Sequence, residues 1–257
     1  MSKTLLMVHG VGCGGEVWNR IKRDFVMAGW TCETPTLFPD LRTKTDPPEM
    51  LADLTLSDYV DATGQRVAEL TKRDGQPPVI LGHSMGGLIA QKLVEAGQVR
   101  AGIFLTPAQP KGCTVTDLRV ARTFWSILKG GPKNLPGNVF KVGPKGFRWG
   151  VLNCVPDARH DEIYAEALYD SGRVYQDLSD PEPIDASKVT VPTLTIGAKK
   201  DRATVIKAVR KVGKKYAGAA YPGDYLEYGA HAHWIVDEPG TEQVTADMLE
   251  WLDRKLG

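Results

Sequence analysis

The sequence predicts an α/β fold built on a mostly parallel sheet of about six strands flanked by helices. Two observations predict it. Short apolar runs alternate with longer amphipathic segments along the chain. Most of the runs are apolar at nearly every position, the mark of strands buried on both faces. A length of 257 residues suits one large domain with a substantial core and is short for two independent ones.

Taken in order, the strand-like runs are Thr4–Val8, Thr31–Thr34, Pro78–Leu81, Ala101–Thr106, Thr193–Ile196 and Tyr225–Tyr228. Helices are expected over Glu16–Ala28, Ser57–Lys72, Met85–Ala96, Thr204–Tyr216 and Thr241–Leu256. In the last, Val244, Met248, Leu249, Trp251 and Leu252 recur near helical spacing between charged residues, so one face is ready to cover the sheet. Leu37 to Leu54, rich in proline and charge, reads as a long surface loop.

Between Thr106 and Val191 the strand rhythm stops. Val115–Lys129 and Asp161–Leu178 look helical, and they flank a Gly- and Pro-rich loop, Gly130–Gly150. A structureless connection of that length is foreign to a compact domain, so an inserted helical cap is expected. The expected organisation is a core of residues 1–107 and 190–257, with residues 108–189 as cap or lid.

Composition excludes several function classes. A formal net charge of +1 gives no basic excess with which to bind nucleic acid. No apolar run approaches the roughly 18 residues of a membrane span. The stretch Leu5–Val8 is too short for a signal-peptide core. Cys13, Cys32, Cys113 and Cys154 are widely spaced and form no C-x-x-C pair, which points to reduced thiols in a cytoplasmic protein and away from metal or redox chemistry. Nothing in the sequence sets an oligomeric state.

The sharpest local signal is Gly82-His83-Ser84-Met85-Gly86, a G-x-S-x-G placed between an apolar strand and a helix. Such a turn lifts a serine hydroxyl above the sheet, and side chains two residues to either side would collide there. His83 is expected to point away and pack. A serine hydroxyl needs a base, and histidine has the pKa for it. His231 and His233 follow the last strand, in Gly229-Ala230-His231-Ala232-His233-Trp234. An acid orienting the imidazole belongs at a strand end facing that loop. Asp201 fits, although capping the next helix is an alternative role for it; Asp237 and Asp224 are weaker candidates.

These residues resemble the α/β-hydrolase superfamily over the whole chain, in particular small bacterial esterase-like members with a helical cap. The resemblance rests on His9-Gly10-Val11 with Trp18, the GHSMGG run Gly82–Gly87, Asp201, and His233-Trp234 with Glu238-Pro239. It favours His233 over His231. It implies that Ser84, His233 and Asp201 are catalytic and that backbone N–H groups of Val11 and Met85 form an oxyanion hole. The implied reaction is hydrolysis of a carboxylic ester, lactones included, through an acyl-enzyme on a small-molecule substrate, with no cofactor and no metal.

The same scaffold hosts other chemistry. Carbon–carbon hydrolases, hydroxynitrile lyases, cofactor-free haloperoxidases and slow-turnover small-molecule receptors all remain as alternatives. Ser84 argues against the aspartate-nucleophile branches, and Trp234 stands where plant hydroxynitrile lyases carry lysine. Specificity falls to the cap, whose aromatics include Phe124, Trp125, Phe147, Trp149, Tyr164, Tyr169 and Tyr175. Trp125, Trp149 and Tyr169 are the pocket candidates. Lys129, Lys133, Lys141, Lys145 and Arg148 make the Gly130–Gly150 loop basic, as expected for a solvated lid surface.

Overall fold

The computed structural model describes residues 3–257; Met1 and Ser2, the start of the expected core segment, lie outside the described residues. Along the chain run β1 (Thr4–Val8), α1 (Asn19–Met27), β2 (Thr31–Glu33), α2 (Leu56–Asp74), β3 (Val79–His83), α3 (Met85–Glu95) and β4 (Ala101–Leu105). The segment after β4 holds α4 (Leu118–Thr123), α5 (Trp125–Leu128), β5 (Val139–Phe140), α6 (Pro144–Gly146), α7 (His160–Ala165), β6 (Asp170–Ser171) and α8 (Gly172–Ser179). The chain closes with β7 (Thr193–Ala198), α9 (Ile206–Ala217), β8 (Asp224–Tyr228) and α10 (Thr241–Leu256).

Six strands form one sheet in the order β2-β1-β3-β4-β7-β8, and every neighbouring pair is parallel. Alternate side chains of β1 explain how it is covered. Leu5 and Met7 join the core shared with Ile21 and Phe25 of α1 and Met248 and Trp251 of α10. Leu6 and Val8 face the other way, against Tyr59 and Val67 of α2, Leu88 and Ile89 of α3, and Val212 and Tyr216 of α9. Period-two alternation thus feeds two helical layers, as a parallel sheet requires.

The strand order reverses between β1 and β3: the chain leaves β1 for the β2 edge and returns past it to β3. Ligand sites in open parallel sheets sit beyond the carboxyl ends of strands at such a reversal. Here those ends are His9-Gly10 and Gly82-His83-Ser84, with Val8 in register with Gly82.

Several local expectations shift. The first expected helix opens with a 3₁₀ turn over Gly15–Trp18 before α1 begins at Asn19. The expected Asp161–Leu178 helix is broken by β6, which pairs antiparallel with β5 from inside the expected loop. Two-residue strands are too short to carry a periodic signal. The stretch from Leu37 to Leu54 is not simply a surface loop: Leu37 and Leu51 are buried, and Arg42 is only 2% exposed. Among the described residues no helix is long and apolar enough to cross a membrane.

Helix α2 starts on a capping box, in which the Thr55 hydroxyl accepts from the Asp58 N–H and the Asp58 carboxylate accepts from the Thr55 N–H. Thr55→Ala removes one half of it. The expected cost is about 1 kcal/mol, read as a melting temperature about 2–4 °C lower in a thermal denaturation scan.

Candidate active site

Ser84 joins β3 to α3 with φ 55° and ψ −120°. A non-glycine residue there is strained by roughly 1–3 kcal/mol, so its surroundings must hold it. Its carbonyl accepts from the N–H groups of Gly87 at 2.9 Å and Ala108 at 2.8 Å, and its own N–H donates to the Leu105 carbonyl at 3.2 Å. The flanking glycines are obligatory: a Cβ on Gly82 would lie 2.0 Å from the Gly86 carbonyl oxygen, and one on Gly86 the same distance from that of Val8.

His233 reaches the serine from the loop after β8. Its Nδ1 lies 2.8 Å from Asp201 Oδ2 and its Nε2 lies 3.1 Å from Ser84 Oγ. A carboxylate only accepts, so Nδ1 carries the proton and the bare Nε2 accepts from the serine hydroxyl. All three residues are buried. Asp201 also accepts at Oδ1 from the N–H groups of Ala203 (2.7 Å) and Thr204 (2.8 Å), so it caps that turn as well as meeting the imidazole. Burial alone would raise its pKa. His233 and the Thr204 hydrogen bonds outweigh burial and hold the carboxyl below the ordinary carboxylate range. Such an array is what general-base activation of a hydroxyl needs.

Neighbours fix the imidazole from behind. The His83 Nε2–H donates to the His233 carbonyl at 2.8 Å, and burial drives the His83 pKa down to about 3, keeping it neutral. His83 therefore packs beside His233. His231 is occupied elsewhere, its Nδ1 lying 2.9 Å from Glu238 Oε1. Asp237 pairs with Arg20 and Arg159, and Asp224 binds Trp251 and Lys255. Neither hydrogen-bonds His233, whose ring nitrogens meet Asp201, Thr204 and Ser84. Thr204, which the sequence offered only as a helix start, contacts Asp201, His233 Nδ1 and the Thr106 carbonyl.

Facing Ser84 is a cavity of about 150 Å³. Val11, Phe124, Ile127, Leu128, Tyr175 and Leu178 give it an apolar wall, and among the described residues no charged side chain lines it. The N–H groups of Val11 and Met85 meet no acceptor among the described residues. Gly10 packs so closely on the serine that a Cβ there would stand 2.9 Å from Ser84 Cβ.

The three pocket candidates do not line this cavity. Trp125 is 63% exposed and borders an outer groove, because α4 ends at Thr123 and the break at Phe124 turns that ring inward instead. Trp149 is sandwiched between the guanidinium groups of Arg122 and Arg202, 4.1 and 4.5 Å from its ring centroid. Tyr169 lies near Lys141, and its backbone N–H donates to the Thr43 carbonyl. Phe124 and Tyr175 line the cavity instead. Cys13 lines a separate cavity of about 340 Å³, and burial pushes its thiol pKa up to about 12. It is an inert thiol at neutral pH.

A model described as the alpha/beta hydrolase family matches residues 5–246. Among solved structures, tomato methylketone synthase I complexed with 2-tridecanone matches with a TM-score of 0.74 at 18% identity, covering 99% of each chain. A methylesterase from Arabidopsis gives 0.73 at 16% identity over 97% of this chain and 98% of that one. A pyrethroid hydrolase from Sphingobium faniae gives 0.70 at 18% identity over 98% of both. At such identities the likeness speaks for the fold alone. No curated protein matches the chain.

Proposed function

Because the chain belongs to the alpha/beta hydrolase family, we propose that it is an enzyme that cleaves a small, uncharged carboxylic ester or lactone through an acyl-enzyme on Ser84. The observation that carries this reading is the unbroken hydrogen-bond line from Ser84 Oγ through His233 to Asp201. In the proposed reaction His233 Nε2 takes the serine proton as Oγ attacks the carbonyl carbon. It then returns that proton to the leaving alkoxide. Water repeats the sequence in reverse to release the acid.

The developing oxyanion would be met by the unpaired N–H groups of Val11 and Met85, the latter at the positive end of α3. Residues 108–189 are proposed as the lid. They supply Phe124, Ile127, Leu128, Tyr175 and Leu178 to the wall opposite the serine. That wall favours an apolar acyl group and disfavours a carboxylate, which would be buried without a partner. The basic side chains of the Gly130–Gly150 loop stay outside, with Arg148 paired to Asp161.

Two measurements test the reading. A fluorophosphonate is expected to label one site, Ser84, and to abolish hydrolysis of p-nitrophenyl butyrate. In a panel of methyl esters, kcat/KM should be highest for short apolar acyl chains and about a hundredfold lower for a chain ending in carboxylate. Labelling at another residue, or preference for the anionic ester, would overturn the proposal.

A further inference from the structure

Behind the Gly10–Val11 loop lies a buried polar cluster outside the Ser84 line. Arg42 and Asp170 are both fully buried and meet in a two-pronged pair, Nε to Oδ1 at 2.6 Å and Nη2 to Oδ2 at 2.9 Å. The Tyr59 hydroxyl donates to Asp170 Oδ1 at 2.7 Å, and the Gly12 N–H donates to Asp170 Oδ2. Gly12 is held at its other end too, its carbonyl accepting from the Leu168 N–H at 2.9 Å.

His9 completes the cluster, and its proton position follows from its neighbours. The Leu37 N–H, 3.0 Å away, and Arg42 Nη1, 3.2 Å away, both point at Nε2. Neither can accept, so Nε2 is bare and the ring proton sits on Nδ1. There it donates to the Gly10 carbonyl at 2.9 Å. Burial, reinforced by the Arg42 charge, drives the His9 pKa down to about 3, so the ring stays neutral in this tautomer.

The consequence lies in the peptide plane. Gly10 C=O and Val11 N–H belong to one planar trans peptide and point in opposite directions. Holding the carbonyl toward His9 turns the N–H away from His9, on the side where Val11 lines the serine cavity. We propose that His9 is a positioning residue for oxyanion stabilisation: Arg42 fixes its tautomer, its Nδ1–H clamps the Gly10 carbonyl, and the clamp aims the Val11 N–H. Asp170 serves the same loop by neutralising Arg42 and holding Gly12.

This rests on the reading of Ser84 as an acyl-transfer nucleophile, and two substitutions separate the two claims. In His9→Asn the side-chain amide N–H falls near the Nδ1 position and still donates to Gly10, while Leu37 and Arg42 lose their acceptor. In His9→Gln the amide reaches the Nε2 position and accepts from Leu37 and Arg42, leaving the Gly10 carbonyl unclamped. With p-nitrophenyl butyrate, His9→Gln is expected to lower kcat by about tenfold to a hundredfold at unchanged KM while keeping its melting temperature. His9→Asn should melt several degrees lower yet recover most of the lost kcat.

A merely structural histidine would make kcat follow the melting temperature in both variants, and that result overturns the proposal. A crystal structure of His9→Gln gives an answer without any activity. A rotated Gly10–Val11 peptide supports the clamp, and an unmoved one overturns it. Absence of ester turnover in the wild type would instead sink the Ser84 reading.

Discussion

Ser84→Ala and His233→Ala are each expected to lower kcat for p-nitrophenyl butyrate by a factor on the order of 10⁵–10⁶, and the double variant is expected to be no slower than either. Non-additivity is the decisive part. If the imidazole acts only by taking the serine proton, it has nothing to do once the hydroxyl is gone. Asp201→Asn should cost about 10⁴ for a different reason. Asp201 Oδ1 already accepts from the Ala203 and Thr204 N–H groups, so an asparagine must place its oxygen there. Its amide N–H₂ then faces His233 Nδ1. That forces the ring proton onto Nε2, where it confronts Ser84 as a donor and cannot accept. Steady-state kinetics on folded variants would check this set. Additive losses for Ser84 and His233, or a nearly active Asp201→Asn, would dismantle the mechanism.

Elements whose information is local were readable in the sequence, and those that depend on distant partners were not. The Gly82–Gly87 run carries much of its own turn: a Cβ on Gly82 would meet backbone four residues on, at Gly86, while those on Gly86 and Gly87 would meet Val8 and Pro107. Helix α10 was legible to the residue, since its apolar stripe and flanking glycine lie within one segment. His231 and His233 stood out by their place after the last strand, with the resemblance favouring His233, and Asp201 by its place at a strand end, but the distances among Ser84, His233 and Asp201 come only from the fold. The aromatic wall shows the limit most sharply. Phe124 and Trp125 are adjacent and similar in chemistry, yet one lines the cavity and the other stands in solvent. Only the break between α4 and α5 decides which, and no residue type announces that break. Thr204 gave no signal beyond its hydroxyl near a helix start. Arg42 was hidden by its surroundings, a proline- and charge-rich stretch whose composition reads as solvated. Its partner Asp170 lies 128 residues away.

That distant partner makes Arg42→Met the most destabilising single change expected here. Removing the guanidinium leaves the Asp170 carboxylate buried with no counter-charge, at a cost of about 3–5 kcal/mol. For a chain of this size the melting temperature should fall by roughly 6–20 °C. Asp170→Asn leaves the converse, a buried guanidinium without its carboxylate, and should also be severe. Arg42→Met combined with Asp170→Asn removes both charges while an amide oxygen remains to accept from Gly12 or Tyr59, so the double variant should be more stable than Arg42→Met alone. A urea-denaturation cycle over the four proteins measures this coupling directly. Simple addition of the two single losses would mean that the groups do not form one unit. The cycle also bears on why the pair exists. A buried ion pair seldom stabilises more than well-packed apolar groups of the same volume, so stability alone is a weak reason for Arg42 and Asp170 to stand there. Four other groups lean on them: the Gly12 N–H, the Tyr59 hydroxyl, the Leu37 carbonyl and the His9 ring. Two of those four belong to the loop that carries Val11. A stable double variant with a lowered kcat would therefore separate holding the fold from aiming the loop.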